Sequence, residues 1–79
     1  MVPEFASVPK AVGLKQTRKA IRERRAVRVF LACDADPVVT NPVAAQCAAA
    51  GVPVVTDFTM GQLGKACGIS VGASAVAVL

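Results

Sequence analysis

The residues best placed to do chemistry are basic, and they gather in one short segment near the N-terminus. The stretch GLKQTRKAIRERR, residues 13–25, holds six of the nine Lys and Arg residues of the chain, and Arg28 follows it. Ammonium and guanidinium groups donate hydrogen bonds to phosphates and to guanine acceptors, whereas an amide can both donate and accept. Gln16 is an uncharged amide in the middle of this cluster. The combination suits base recognition better than charge neutralisation alone.

A solvated surface helix is the ordinary interpretation of such a basic segment. Here Glu23 is the only acid that balances the charges, and like charges at i,i+4 spacing destabilise a helix unless an anion binds. Lys15 and Gln16 begin the predicted helix, where free N–H groups and the helix dipole favour phosphate. Gly13 has no Cβ and would let a nucleic-acid backbone come close. The pattern therefore favours a nucleic-acid ligand.

Composition excludes several classes of function. The 79 residues include no His, Tyr or Trp, so the chain has no imidazole base, no His–Cys dyad and no His-containing zinc site. The same absence argues against the aromatic stacking platforms that bind single-stranded nucleic acid. A net charge of +4 and a pI of about 9.4 indicate a polyanion or an acidic surface as partner.

The acids and cysteines give weaker signals. Asp34 and Asp36 resemble a paired-carboxylate or metal site, but Asp36 is also a good helix cap and Asp34 a good turn residue. Because no third acid lies nearby, we expect no metal, no cofactor and no catalysis. Cys33, Cys47 and Cys67 form no C-x-x-C pair, a pattern typical of reduced thiols used as small apolar residues.

Apolar runs alternate with helical patterns along the chain, and the 54% apolar content is enough for one core. Strands are predicted at 10–14, 27–33, 52–57 and 74–79, and helices at 15–24, from Asp36 or Asn41 to 50, and at 59–68. Thr59 and Gln62 have the spacing of a capping box at the start of the last helix. Residues 1–9 form a lead-in in which one helical turn is expected. The alternation predicts a single α/β domain over residues 1–79: a three-layer α-β-α sandwich with a small mixed four-stranded sheet.

The ends of the chain carry no membrane signal. The N-terminus has no positively charged region followed by an apolar one, and the longest apolar run is shorter than the roughly 20 residues that span a bilayer. We therefore expect a cytoplasmic protein with no membrane partner.

The segment GISVGAS, residues 68–74, is the third notable feature. It contains two glycines and apolar residues, and it follows a predicted helix that carries Lys65. A plain turn into the last strand would explain it. The functional interpretation is an apolar lip, residues 69–73, against which an unstacked base or sugar rests.

Three segments occur in a specific order: G-L-K-Q-T-x-K-A, then A-C-D-A-D-P, then L-G-K-A-C-G-I-S-V-G-A-S-A-V-A. Together they resemble the kink-turn-binding family of ribosomal proteins, and in particular its short bacterial, YbxF-like branch. The likeness covers about residues 9–79. It implies an α-β-α sandwich and a protein that recognises and stabilises a kink-turn, an RNA in which tandem sheared G·A pairs lie next to a bulge.

The resemblance also implies which residues contact the RNA. Gly13 would allow close approach, Lys15, Gln16 and Lys19 would contact bases at the G·A pairs, and Lys65 would lie near phosphates. The full expected set is Gly13, Leu14, Lys15, Gln16, Lys19, Arg22, Lys65, Ile69, Ser70, Val71, Gly72 and Ala73. Leu14 stands where the family usually has a small or hydroxyl residue, and Ser70 where an acid is common.

Physical chemistry agrees with that assignment. A regular A-form major groove is too deep and narrow for side chains, whereas a sharp kink opens it and exposes guanine O6 and N7. The expected partner is a structured RNA with a kink-turn, such as a ribosomal RNA or an mRNA leader, bound by a monomer. A protein-interaction adaptor on the same fold is the competing hypothesis; it needs an acidic partner and gives Gln16 no special role. A small enzyme is disfavoured by the missing His.

Overall fold

The computed structural model describes residues 8–79, which build a four-stranded sheet with helices on both faces. The elements are β1 (Lys10–Val12), α1 (Leu14–Arg22), β2 (Arg28–Leu31), α2 (Pro37–Ala50), β3 (Val54–Val55), α3 (Met60–Ala66) and β4 (Ala75–Val78). None of these helices is long and apolar enough to cross a membrane. The predicted three-layer α-β-α sandwich is confirmed, whereas the expected helical turn in the N-terminal lead-in falls on residues 1–7, outside the described part.

β4 is an interior strand of the sheet, whose order is β1-β4-β2-β3. It pairs antiparallel with β1 on one side and with β2 on the other, and β3 lies parallel to β2. The sheet is therefore mixed, as predicted. Because β1 and β4 run in opposite directions, Val12 at the end of β1 lies opposite Val76 near the start of β4.

The two faces of the sheet bury separate clusters. The cluster between the sheet and the α1–α2 layer consists of Ala20, Ile21, Val29, Leu31, Val43, Cys47, Ala75 and Ala77. The cluster between the sheet and α3 consists of Phe30, Ala32, Leu63, Ala73 and Val76. Successive residues of β2 and β4 alternate between the two clusters, as the period of a strand requires. The apolar run around β2 is thus covered on both faces, which confirms its interpretation as a buried strand.

The ends of the helices follow the predicted capping chemistry. The Asp36 carboxylate accepts a hydrogen bond from the backbone N–H of Val38 at 2.9 Å, so Asp36 is the N-cap of α2, and Asn41 lies inside the helix. Gly51 ends α2 in a left-handed conformation with φ 70°. Thr59 forms the expected capping box at the start of α3.

The prediction of a buried strand over residues 52–57 is wrong in length and burial. Only Val54–Val55 pairs in the sheet, and Val54 is 36% exposed. β3 is at the edge of the sheet, next to β2 alone. After β3 the chain leaves the edge, and the Phe58 carbonyl instead accepts a hydrogen bond from the N–H of Cys33 at 2.9 Å. An apolar run does not reveal that it lies at an edge.

The three cysteines are free thiols in different surroundings. Cys47 is buried in the core, and burial raises the pKa of its thiol. Burial also raises the pKa of the half-buried Cys67, although the positive charge of Lys10 lowers it in part. Cys33 is exposed, so the predicted use of the cysteines as small apolar packing residues does not hold for this one.

Thr17 is the one buried polar residue among residues 8–79, and its hydroxyl has no hydrogen-bond partner. We expect Thr17→Val to leave the free energy of unfolding within about 1 kcal/mol of wild type, or to raise it, because a methyl replaces an unpaired polar group. Thr17→Ala is the control and should cost about 1 kcal/mol through the space it leaves. Urea unfolding measures both. A loss well above 1 kcal/mol for Thr17→Val would mean that the hydroxyl has a partner.

Candidate nucleic-acid interface

Gly13 links β1 to α1 in a single residue. Its φ of 98° and ψ of 161° are open to glycine and strained for any residue with a Cβ. Its N–H donates to the carbonyl of Ala75 at 2.9 Å, and its carbonyl accepts from the N–H of Thr17 at 2.9 Å. The glycine thus ends the strand, begins the helix and joins the sheet at the start of β4.

The start of α1 is open to an anion. No side chain caps it and its first turn contains no acid. Intrahelical hydrogen bonding begins with the N–H of Thr17, so the N–H groups of residues 14–16 have no partner within the helix. Free N–H groups and the positive end of the helix dipole attract negative charge. The side chains of Lys15 and Gln16 are exposed at this position.

One face of α1 is uniformly positive. Lys15, Lys19 and Arg22 follow one another at i, i+4 and i+7, and all three are exposed. The opposite face packs on the sheet through Thr17, Ala20 and Ile21, which are all buried. Glu23 does not neutralise this positive face, because its carboxylate lies 2.9 Å from the Arg25 guanidinium.

Arg18 has a structural contact. Its Nε donates to the side-chain oxygen of Gln46 at 3.3 Å, and the Gln46 amide donates to the Arg18 carbonyl at 3.1 Å. This reciprocal pair joins α1 to α2 on the exposed side of the core. The cations of α1 therefore have different roles, and Arg18 contributes to the position of the helix.

The loop between α3 and β4 is held at both ends. The N–H of Ile69 donates to the Gly64 carbonyl at 3.0 Å, and the N–H of Ala73 donates to the Met60 carbonyl at 3.1 Å. Gly68 makes the turn out of the helix with φ 73°. The loop thus has a defined path across α3.

Two glycines let this loop pack tightly on α3. A Cβ at Gly64 would overlap the carbonyl oxygen of Val71, and one at Gly72 would lie 3.0 Å from the Cβ of Met60. Gly64 is buried in the middle of a helix, where glycine normally costs stability. The contact with Val71 is the physical reason for that glycine.

Sequence reasoning missed Asp34 and Met60 as parts of this arrangement. The Asp34 carboxylate accepts a hydrogen bond from the backbone N–H of Met60 at 2.8 Å, which ties the turn after β2 to the first residue of α3. Met60 is 36% exposed beside the loop. The capping box at Thr59 places Met60 at the start of a helix, but no local signal joins it to a residue 26 positions away.

The loop presents apolar side chains to solvent. Val71 is 68% exposed and Ile69 is 38% exposed, while Ser70 and Gly72 are also exposed. Ala73 is 4% exposed and belongs to the core under α3, so almost none of its surface is open to a ligand. Lys65 is exposed in the last turn of α3.

The two segments predicted to bind RNA, the start of α1 and the α3–β4 loop, are joined through the sheet. The hydrogen bond from Gly13 to Ala75 joins the start of α1 to the residue that follows the loop and Ser74. Leu14 is half-buried against the core at this junction. Arg22 lies at the other end of α1, about 12 Å from Leu14 at 1.5 Å per residue. The α1 start and the loop therefore share one end of the molecule, and Arg22 does not.

Comparison with known proteins identifies the family. The model of the Ribosomal protein L7Ae/L30e/S12e/Gadd45 family matches residues 9–79. The chain belongs to this family. It is 47% identical over 68 residues to the RNA-binding protein YbxF of Geobacillus stearothermophilus, covering 86% of this chain and 83% of that one. An RNA-binding protein of Geobacillus sp. strain WCH70 has the same identity and coverage. The sequence resemblance is thereby confirmed.

Solved structures share the L7Ae-type fold. The 15.5 kD RNA-binding protein of Giardia lamblia superposes with a TM-score of 0.80 at 28% identity, covering 87% of this chain and 58% of that one. A protein of unknown function from Bacillus halodurans has a TM-score of 0.80 at 23% identity, covering 87% and 69%. The latter likeness supports the fold alone.

Other kinds of site have no support in the described part of this L7Ae-family chain. Within residues 8–79, no group of three His, Cys, Asp or Glu residues could hold a metal ion. Phe30 and Phe58 pack against each other with ring centroids 5.9 Å apart, and Phe30 is buried. Neither ring forms an exposed platform for a base. The hydrogen bonds of Asp34 and Asp36 favour their interpretation as structural acids.

Gly64→Ala should disturb the loop. The new Cβ would overlap the Val71 carbonyl, and overpacking of this kind costs about 1–3 kcal/mol, more than alanine gains in a helix. Gly61→Ala is a matched control in the same helix, since its Cβ would meet nothing closer than the Thr59 hydroxyl at 3.9 Å. We expect Gly61→Ala to be neutral or to stabilise by up to about 1 kcal/mol. Equal urea midpoints for the two variants would contradict the tight loop–helix contact.

Proposed function

We propose that this L7Ae-family chain is a non-enzymatic RNA-binding protein that recognises and stabilises kink-turn RNA. The observation that carries the proposal is the hydrogen bond from Gly13 to Ala75, which puts an uncapped, basic helix start beside an apolar loop. The proposed form is a cytoplasmic monomer that acts as one RNA-binding domain over residues 1–79. A structured RNA, such as a ribosomal RNA or an mRNA leader, is the proposed partner.

The names of similar proteins support RNA as the ligand. YbxF of Geobacillus stearothermophilus and the 15.5 kD protein of Giardia lamblia are both named RNA-binding proteins. Their similarity spans 86–87% of this chain. The family model matches residues 9–79, which include both α1 and the α3–β4 loop. The charge of the exposed α1 face is the sign that an RNA ligand requires.

In the proposed complex, the start of α1 enters the groove that the kink opens. Lys15 and Lys19 donate to guanine O6 and N7, and the Gln16 amide pairs with a base edge that offers both a donor and an acceptor. Gly13 lets the RNA backbone approach, because nothing in the protein lies within 4 Å of its missing Cβ. The free N–H groups of the first turn are available to a phosphate.

The α3–β4 loop contributes a different kind of contact. Ile69 and Val71 offer exposed aliphatic surface to a nucleotide that the bulge leaves unstacked. Lys65 is exposed just before the loop and can pair with a phosphate. Because the loop is fixed on α3 by Gly64 and Gly72, it loses little conformational freedom on binding.

Stabilisation of the kink follows from selective binding. A protein that contacts only the kinked conformer shifts the RNA population toward it. Fluorophores on the two RNA arms should therefore approach each other when the protein is added without Mg²⁺.

The central test compares base-contacting and phosphate-contacting residues. Gln16→Ala should remove roughly 1–3 kcal/mol from binding to a kink-turn RNA and little from binding to a plain duplex. Lys19→Ala should behave in the same way. A gel shift with the kink-turn RNA, and with a version whose G·A pairs are replaced by Watson–Crick pairs, measures the difference.

Arg25→Ala is the matched control for this test. It removes one positive charge just beyond the C-terminal end of α1, where Arg25 is paired with Glu23. It should lower the affinity for both RNAs by similar factors, or for neither. The slope of log affinity against log salt concentration should fall by at most about one. If Gln16→Ala weakened both RNAs equally, α1 would be a general charge surface rather than a base reader.

A second test concerns the loop. Val71→Asp should weaken RNA binding, because it puts a carboxylate at an exposed position where RNA is expected, and the fold should survive. Val38→Asp is the matched control: it makes the same change at a residue that is 79% exposed in the first turn of α2. Circular dichroism checks both folds. Equal RNA affinities for the two variants would exclude the loop from the interface.

A further inference from the structure

A groove lies at the opposite end of α1 from the proposed RNA interface. It has a volume of about 560 Å³ and runs between the C-terminal ends of α1 and α2. Its apolar lining comes from Ile21, Ala26, Val27, Ala49, Ala50 and Val52. Val27 is 62% exposed, so aliphatic surface is open to solvent there. Arg22 is the one lining residue that also belongs to the expected RNA-contact set, and the RNA contacts proposed for Lys15, Gln16, Lys19 and the α3–β4 loop do not use the groove.

Two arginines contribute positive charge to this apolar groove. Arg22 and Arg24 line it and are both exposed, and none of the lining residues is acidic. The nearby Glu23 carboxylate is paired with Arg25, which is not part of the lining. α2 contributes no charged side chain, since its sequence is PVVTNPVAAQCAAA. The groove therefore combines aliphatic walls with positive charge from α1.

Arg24 occupies an unfavourable backbone position. Its φ is 59°, and it is the one non-glycine residue with positive φ within residues 8–79. The N–H of Arg24 donates to the Ile21 carbonyl and that of Arg25 to the Ala20 carbonyl, which is the Schellman arrangement that normally takes glycine. The chain thus places a cation at the groove where glycine would cost less strain.

We propose that this groove docks a segment of another protein that carries carboxylates next to apolar side chains. The carboxylates would pair with the guanidinium groups of Arg22 and Arg24, and the apolar side chains would fill the groove. Charge complementarity selects an acidic partner, and the aliphatic lining selects one with exposed leucine-like side chains.

RNA fits the groove less well than an acidic protein. Phosphates would pair with the arginines, but the aliphatic lining offers no ring on which a base could stack. The one amide in the lining, that of Gln46, already exchanges hydrogen bonds with Arg18. A base would therefore find no free hydrogen-bonding side chain apart from the two arginines.

A second copy of this chain is also a poor occupant. Its net charge of +4 repels another copy. The exposed acidic segment around Asp34 and Asp36 has apolar neighbours, but both carboxylates already accept hydrogen bonds from backbone N–H groups. These observations favour a different protein over a second copy as the acidic partner.

The test uses the full chain and a synthetic amphipathic helix with leucines on one face and glutamates beside them. Amide chemical shifts of the isotope-labelled protein should change at Ile21, Ala26 and Val52 and stay constant in the α3–β4 loop. Versions of the peptide with glutamate replaced by glutamine, or leucine by alanine, should each bind more weakly. Shifts spread along the Lys15 face of α1 instead would overturn the proposal.

Arg24→Gly is the decisive variant. It removes the cation and supplies the residue that the Schellman turn favours, so the urea midpoint should stay the same or rise. Peptide affinity should fall about two- to fivefold, as expected for an exposed ion pair. Arg25→Ala is the matched control, because it removes an equal charge outside the groove lining. It also frees the Glu23 carboxylate, which is not in the lining either, so peptide affinity should fall less than for Arg24→Gly. Equal losses of peptide affinity for the two variants would mean that the peptide is held by the overall positive charge of the protein and not by the groove.

Two further outcomes would also overturn the proposal. An RNA duplex that shifts the groove amides as strongly as the peptide would assign the groove to nucleic acid. Dimers in analytical ultracentrifugation that the peptide disperses would assign it to a second copy. Kink-turn affinity should be the same with and without peptide, so failure of the docking surface leaves the proposed RNA function untouched.

Discussion

The backbone hydrogen bond between Gly13 and Ala75 is the contact on which the rest of the arrangement depends. It exists because β4 runs antiparallel to β1, so the end of one strand lies beside the start of the other. A residue with a Cβ would be strained at φ 98°, so glycine alone combines strand end and helix start here at little cost. Moving either strand would separate the start of α1 from the α3–β4 loop.

A helix with so much positive charge is stable because other contacts hold it. Ala20 and Ile21 bury its apolar face, and the reciprocal Arg18–Gln46 pair fixes it to α2. Helices in proteins derive most of their stability from such packing rather than from intrinsic propensity. The repulsion among Lys15, Lys19 and the residues that follow is therefore tolerated in the free protein. An anionic ligand relieves that repulsion, which adds a favourable term to binding.

Local chemistry was readable from the sequence, and distant contacts were not. The caps at Asp36 and Thr59 depend on residues within three positions. The Thr59 cap was predicted, and Asp36 was one of two candidates for the start of α2. The edge position of β3 depends on the order of all four strands, so the apolar run there was misread as buried. The contacts of Gly64 with the loop and of Asp34 with Met60 join elements that only the completed fold brings together. The two ends of α1, near Lys15 and near Arg22, were predicted as one basic segment, because their positive charge alone does not show that they face different parts of the molecule.

The geometry of α1 determines how far its two ends can influence each other. Lys15 and Arg22 are seven residues apart, or about 10 Å along a helix. At physiological salt, interactions between exposed charges are largely screened beyond about 8 Å. A ligand at one end therefore changes the electrostatic potential at the other only slightly under those conditions. At low salt the screening length grows to about 30 Å, and the two ends then act as one positive surface. Selectivity between RNA bases, phosphates and acidic protein segments is consequently expected to be sharper at physiological ionic strength than at low salt.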